Sequence, residues 1–466
     1  MKSLRLAALI ACLSTPSLAD NISEIEQIGT AHAAEVQQTG GFQPNKSEIR
    51  QEGTDHHAKA IQNSGLQDGV GTSSVIEQTG AGNWAEVVQF GSEANVRQEG
   101  KGNRASVEQS GSFGGYSATI DQIGQDNHAT VLQPIPAWSG GEAVIQQTGS
   151  GNKANVFQVG GDFSHHFIDI RQNGSLNVAD VKQTSANDMG AIVKQTGLSN
   201  EAGINQTGTF ASSMEAVVEQ SGTSNWVAVQ QSGTFASDME ALVTQTGVSN
   251  EAAIDQNGGF GTFATASIDQ EGGSNKATTT QQTSELGLNQ SDIIQRGAGN
   301  TASVNQSVNG STHISSVSQI GNGNTAEVSQ AGGLGMAHSS AISVSGDANL
   351  VTLSQDGSLE SFSTSSVEIA GNGNSAAVIQ SGSGGGNASS IIESGNGNIV
   401  SVDQQVFAPG EFSTFNTSQL QVNGLSNMIT VTQSADSSGG NLGTNTAVLN
   451  ITGDNHVVNL VQSTGP

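Results

Sequence analysis

Residues Gln195–Gln256 read QTGLSNEAGINQTGTFASSMEAVVEQSGTSNWVAVQQSGTFASDMEALVTQTGVSNEAAIDQ. Gln-x-Gly-x-x-Asn opens at Gln195, Gln220 and Gln245, a spacing of 25, and a second Gln closes each unit eleven residues later, at Gln206, Gln231 and Gln256. A fixed period of this size is the signature of a repeat architecture in which each unit buries its apolar face against its neighbours.

Working outward, the same unit opens at eighteen positions from 27 to 451. The opening Gln columns through Gln78, Gln98, Gln122, Gln147, Gln172, Gln195, Gln220, Gln245, Gln270, Gln295 and Gln319, and gives way to Val344, Ile369, Glu393, Val422 and Ile451. The closing Gln runs through Gln89, Gln109, Gln133, Gln158, Gln183, Gln206, Gln231, Gln256, Gln281, Gln306 and Gln330, and holds in all eighteen units from Gln38 to Gln462. Five places after the opening slot stands Asn in fifteen units: Asn83, Asn103, Asn127, Asn152, Asn177, Asn200, Asn225, Asn250, Asn275, Asn300, Asn324 and on to Asn427. His32, His56 and His456 take that place in the other three. The Gly two places after the opening slot is present throughout, from Gly29 to Gly453.

Two short segments of each unit alternate with period two. Before the opening slot, Ala216 and Val218, or Ser315 and Val317, precede it by four and two residues; after the Asn the alternation returns, as in Ala105, Val107 and Gln109. Five alternating residues closed by Gly read as a strand with one buried face. The fold predicted is all-β, a β-solenoid of strand–arc–strand units whose equivalent strands stack about 4.8 Å apart into two parallel sheets. In the Gly-x-x-Asn bend, Gly takes positive φ freely, and Asn is expected to occupy the left-handed region.

Parity decides what faces inward. With Val218 go Ala216 and Gln220, and on the second strand Val227, Val229 and Gln231. A lone buried amide costs a few kcal/mol, whereas identical amides on successive rungs hydrogen-bond along the stack. Acids such as Glu35, Glu86, Asp180, Glu219, Asp255 and Asp269 fall in the outward slots. Glu393 stands in an inward slot between Ile369 and Val422, so it should be protonated or its rung distorted.

Met1 to Ala19 has Lys2 and Arg5, the apolar run Leu6 to Leu13 and the small-x-small end Ser17-Leu18-Ala19, the pattern of a secretory signal peptide. The apolar run is too short to span a membrane, and no later stretch is apolar for long enough, so no transmembrane segment is expected and the mature chain would occupy 20–466. The only cysteine, Cys12, would leave with the signal. Without Lys2 and Arg5, twelve of the fourteen Lys and Arg face 41 Asp and Glu. So acidic a chain argues against nucleic acid or anionic lipid as a partner. With 61 Gly and 4% aromatics the composition alone would permit disorder, but a disordered chain has no reason to keep Gly and Gln in phase.

QTGAGNWAEVVQ at 78–89 and QIGNGNTAEVSQ at 319–330 resemble the curlin repeat of bacterial curli fibre subunits, and the likeness extends over the whole of 20–466. The resemblance implies a subunit secreted to the cell surface that polymerises with itself into extracellular functional amyloid, supporting adhesion and biofilm matrix. It also implies an outer-membrane secretion pore, periplasmic chaperones and a nucleator subunit as partners. The chain departs from the family in carrying eighteen units rather than a handful. It also places Tyr116, Met214, Met239 and Asn289 where the family has Ser, and enters its first unit without a Gly-rich leader.

Only seven residues separate Ala19 from Gln27, and Ser-Thr-Gly-Pro follows Gln462, which leaves no room for solenoid caps and predicts open strand edges. The three histidines at the ends are either tolerated turn residues or weaken stacking when they charge below about pH 6.5. His56-His57 and His165-His166 read as solvated loop residues rather than metal ligands, since nothing completes a shell. GNGN at 321–324 and 371–374 is similar to calcium-binding nonapeptide loops but lacks their Asp, so calcium is not expected. The Thr-Phe-Ala-Ser segments at 209–212 and 234–237, with Met214 and Met239, read as packing over the looser arc, the alternative being an exposed adhesive stripe. Thr278, Thr279 and Thr280 are too isolated for an ice-binding face, and no carboxylates converge as a glycosidase needs. The expectation is a non-enzymatic structural protein without cofactor or metal. The alternatives are a non-polymerising extracellular β-solenoid adhesin and a fibre nucleator.

Overall fold

The computed structural model describes residues 20–39, 43–63, 71–110, 115–134, 140–160, 165–184, 188–209, 213–234, 238–333, 335–358, 361–408, 414–437 and 443–464. The signal-like segment with Cys12, and residues 210–212 and 235–237 of the Thr-Phe-Ala-Ser segments, lie outside the described residues. The described residues form strands and no helix, so among them no helix is long and apolar enough to cross a membrane.

Each repeat yields two strands, because its two alternating segments each have one face of small or β-branched residues to bury. In the repeat of Gln147 these are Gly140–Ser150 and Lys153–Val159. The chain divides into two compact units, Met1–Val229 and Gln230–Pro466. In the first unit, first strands pair in parallel from Ile22–Thr30 to Ser213–Thr223. Second strands do the same from Ala33–Thr39 to Glu201–Thr209. The second unit repeats the arrangement, from Asp238–Val248 to Thr444–Thr452 and from Glu251–Phe260 to Val457–Thr464. Each unit is a β-solenoid of two parallel sheets, as the period predicts.

The register joins like with like: Gln147 lies beside Gln172, Gly149 beside Gly174 and Ala154 beside Ala179. Inside lie Ala216, Val218, Val227 and Val229, all buried, each large aliphatic contributing about 1.5–3 kcal/mol. Of the acids assigned outward, Glu35, Asp180 and Asp255 are exposed. Glu86, Glu219 and Asp269 are half-buried and pair with cations on neighbouring rungs: Lys59 at 3.1 Å, Lys194 at 2.7 Å and Arg296 at 2.6 Å.

The bend differs from the sequence expectation in two respects. The Gly after the opening Gln does not end the strand, since Gly149 and Gly174 are still paired and Ser150 follows in the ladder. Nor does the Asn adopt the left-handed conformation. That conformation belongs to the residue before it, as at Leu176 (φ 57°), Ser199 (φ 54°) and Ser274 (φ 54°), while Asn177, Asn200 and Asn275 are not among the residues of positive φ. The physical reason is that the Asn side chain points inward and is buried, so the corner must be turned one residue earlier. The invariant Gly answers to a second constraint as well. A Cβ built on Gly149 would run into the carbonyl oxygen of Gly174 on the next rung, and one on Gly174 into that of Gly197.

Candidate functional site

The columns of polar side chains that run through the solenoid are the candidate site. Every opening Gln from Gln78 to Gln319, every closing Gln from Gln89 to Gln330 and every Asn from Asn83 to Asn324 is buried. In the first unit the opening column is continuous: Gln98 Nε2 donates to Gln122 Oε1 at 2.8 Å, Gln122 to Gln147 at 2.8 Å, and Gln147 to Gln172 at 2.8 Å. In the second unit Gln245, Gln270, Gln295 and Gln319 repeat it at 2.8 Å. The closing column does likewise, from Gln89 to Gln109 at 3.0 Å and from Gln306 to Gln330 at 2.9 Å.

A carboxamide has two N–H groups, and the second also finds a partner. Gln147 Nε2 donates to the His128 carbonyl at 3.0 Å, and Gln270 Nε2 to the Glu251 carbonyl at 3.0 Å. Gln147 and Gln270 thus meet both donor demands, which removes most of the cost of burying them.

The asparagines form a third column. Asn152 Nδ2 donates to Asn127 Oδ1 at 3.1 Å and to the Gly174 carbonyl at 3.0 Å, while Asn127 Oδ1 also accepts the Asn152 main-chain N–H at 3.1 Å. The Asn therefore ties side chain to side chain and corner to corner along the stack.

His56 fills an Asn slot by copying its hydrogen bonds. Asn83 Nδ2 donates to the carbonyl four residues back, Thr79, at 3.0 Å, and its Oδ1 accepts the Asn103 N–H at 3.0 Å. In His56 the ring Nε2 lies 3.0 Å from the Glu52 carbonyl and Nδ1 accepts the Asn83 N–H at 3.2 Å. That pair of partners requires the Nε2–H tautomer and a neutral ring. Burial holds the His56 imidazole below its ordinary 6.5, the Glu52 carbonyl opposing and His32 adding to the effect. His32 stacks on it with ring centroids 5.2 Å apart and planes 3° from parallel.

The reading of the paired histidines as solvated loop residues is corrected for two of the four. His56 and His166 are buried, because each falls on an inward slot of its rung. His57 stacks against Trp84 at 6.1 Å and His165 is exposed. Met214 and Met239 are buried too, so neither contributes to an exposed stripe.

Glu393 is fully buried beside Ile369 and Val422, with no hydrogen-bond partner on either carboxyl oxygen. Burial pushes its carboxyl up to about 8, so it is protonated at neutral pH, as its slot demands.

One feature of the interior is not legible in the repeat motif. Six residues before the opening slot a further inward position holds Tyr116, Met189 and Met214 in the first unit, and Met239 and, on adjacent rungs, His313 and His338 in the second. The two rings are 4.8 Å apart and tilted by 50°. Burial pushes the His313 imidazole down to about 3 and that of His338 to about 4. The Gln330 and Ala331 carbonyls face these rings, yet none of the four ring nitrogens makes a hydrogen bond. Farther along the column Asn387, Asn416 and Asn445 form their own amide ladder, at 3.1 and 3.0 Å.

Among the described residues no three His, Cys, Asp or Glu side chains gather as a metal site. No protein-family model matches the chain, and no curated protein matches it.

Proposed function

We propose that this chain is a secreted structural subunit of a curli-like functional amyloid, adding copies by edge-to-edge β-stacking at the cell surface of a bacterium and supporting adhesion and biofilm matrix. The observation that carries this reading is the in-register amide column. Gln donates to Gln on the next rung at 2.8 Å, and its Asn and Gly neighbours stack in the same register. The opening column stops at Gln319, but the closing column reaches both terminal rungs, where Gln38 donates to Gln62 at 2.9 Å and Gln433 to Gln462 at 2.8 Å, so the same bond can join Gln462 of one copy to Gln38 of the next, as in cross-β assemblies. Ile22–Thr30 and Val457–Thr464 each pair with a single described strand, so each offers a row of main-chain donors and acceptors to such a copy. The curlin-like residues 78–89 and 319–330 support the same reading. On it, an outer-membrane pore, periplasmic chaperones and a nucleator subunit are the partners to seek.

The second reading, a non-polymerising adhesin, draws on the outward carboxylates and the cross-rung ion pairs, which keep the faces charged and wet. Incubation of residues 20–466, followed by thioflavin fluorescence and electron microscopy, separates the two. Fibres that seed fresh protein without a lag are expected; particles that stay single for days at high concentration would favour the adhesin.

A further inference from the structure

Inside the second unit, three side chains converge beneath a half-buried glycine. A Cβ built on Gly332 would stand 3.3 Å from Nε2 of His313, 3.3 Å from Nε2 of His338 and 2.9 Å from the terminal methyl of Met336. One built on Gly357 would stand 2.9 Å from the Met336 sulfur and 3.3 Å from Cε1 of His338. Two imidazole nitrogens and a thioether therefore pack against the same pair of stacked glycines, Gly332 and Gly357, with Ser361 Oγ filling the place nearest Gly357. His313 and His338 lie side by side in the ladder between Thr312–Ile320 and Ala337–Ser345, and all three side chains are buried.

Packing alone does not account for this choice of residues. Elsewhere at the same position Met189, Met214 and Met239 fill the space and bring no polar atoms that need partners. Each buried imidazole brings a donor and an acceptor, and leaving a buried polar group unmet costs about 1–3 kcal/mol. Met336 is equally out of pattern. From Thr262 to Gly443, the position eight residues before the opening slot is otherwise Thr, Ser or Gly. The one thioether there falls on a rung that carries a buried histidine.

We propose that His313, His338 and Met336 bind a soft monovalent cation, Cu(I), through the two Nε2 atoms and the thioether sulfur. Thioether and imidazole together select Cu(I) over harder ions. Zn(II) ordinarily takes four ligands from thiolate, imidazole and carboxylate, and among the described residues the carboxylate that acts on His338, that of Asp356, is exposed. An ion of single charge is also the less costly one to desolvate among neutral buried ligands. Gly332 is half-buried, and Gly357, against which the Met336 sulfur packs, also lines a surface depression together with Ser358, Ser381, Gly382 and the exposed Asp356. The sulfur now accepts a hydrogen bond from Ser361 Oγ at 3.1 Å, which a bound cation would replace. This site stands whether or not the chain polymerises.

Ag(I), which has the same ligand preferences without the redox chemistry, is the probe. Full chain is equilibrated with Ag(I) alone and desalted, then assayed for retained metal, X-ray absorption at the silver edge and thermal unfolding. The background carries Cys12→Ser and Met428→Leu, which remove the only thiol and the methionine that is exposed among the described residues. The expected result is one retained equivalent with nitrogen and sulfur neighbours, and a raised Tm. Met336→Leu, which conserves volume, should lose the sulfur signal and weaken retention about tenfold or more. His313→Asn with His338→Asn should abolish retention. Zn(II) alone should leave Tm unchanged. Equal retention and equal Tm shift in wild type and Met336→Leu would overturn the proposal, as would failure of the wild type to retain Ag(I). If the double histidine variant does not fold, Met336→Leu decides the question alone.

Discussion

At the scale of single residues, the polar interior of this protein is governed by whether each buried group meets a partner on the next rung. Glu393 does not, and its protonation answers the mismatch. Its folded pKa, about 8, lies above the ordinary 4.5, so its contribution is fully present below pH 4.5 and is lost as the pH rises through 8. Linkage puts that loss on the order of 5 kcal/mol. Glu393→Gln should therefore stabilise the chain at pH 8 and flatten its stability between pH 4.5 and 8; urea unfolding at several pH values measures this, and an unchanged pH profile would mean that the carboxyl is solvated. His56 runs the other way. Its folded pKa is depressed, so its contribution is present above the ordinary 6.5 and is lost as the pH falls through the folded value. His56→Asn, which restores the side chain of the neighbouring rungs, should raise stability at pH 5 more than at pH 8. Of these two, Glu393 was legible in the sequence because its slot alternates with known inward positions. The role of His56 was not, since the equivalence of an imidazole and an Asn amide emerges only when the carbonyl four residues back and the next rung's N–H are both in place.

At the scale of strands and bends, two constraints keep the repeat in phase. One is the glycine column, where a side chain would meet the next rung's carbonyl. Gly149→Ala should destabilise the first unit by well over the roughly 0.5 kcal/mol of a surface change, and a melting temperature within a degree or two of wild type would contradict the close approach. The other is the amide column. Gln270→Leu removes the partner of both Gln245 and Gln295, and stranding buried amides on either side should cost about 2–3 kcal/mol. The chain itself drops Gln from the opening slot from Val344 onward in a run, four aliphatics and Glu393, so the ladder is interrupted at Gln319 rather than at scattered rungs. The sequence made the period, the inward parity and both glutamine columns readable, because they are carried by residue type alone. It placed the left-handed residue wrongly. Asn is commonly the residue that adopts that conformation, whereas here its side chain is needed inside and Leu176 or Ser199 turns the corner. The convergence of His313, His338 and Met336 was hidden for a related reason. Residues 313 and 338 belong to different repeats, and residue 336 belongs to a column that the motif does not define.

At the scale of the whole molecule, each copy carries a formal charge of −27, so copies repel one another before their strands can meet. Raising the ionic strength from about 0.01 to 0.15 M shortens the screening distance from about 30 to about 8 Å, and the lag before thioflavin fluorescence should shorten with it. A lag indifferent to salt would mean that charge does not oppose the encounter. The amide columns carry a further consequence. In both units the Gln–Gln bonds of the two columns run in one sense, each donor handing its N–H to the rung that follows. Two copies joined head to tail continue that sense, while two joined head to head would set N–H against N–H or oxygen against oxygen. A filament of this protein would therefore have a plus and a minus end that differ chemically, would elongate at unequal speeds from the two, and would exclude the two-fold symmetric dimer as a seed.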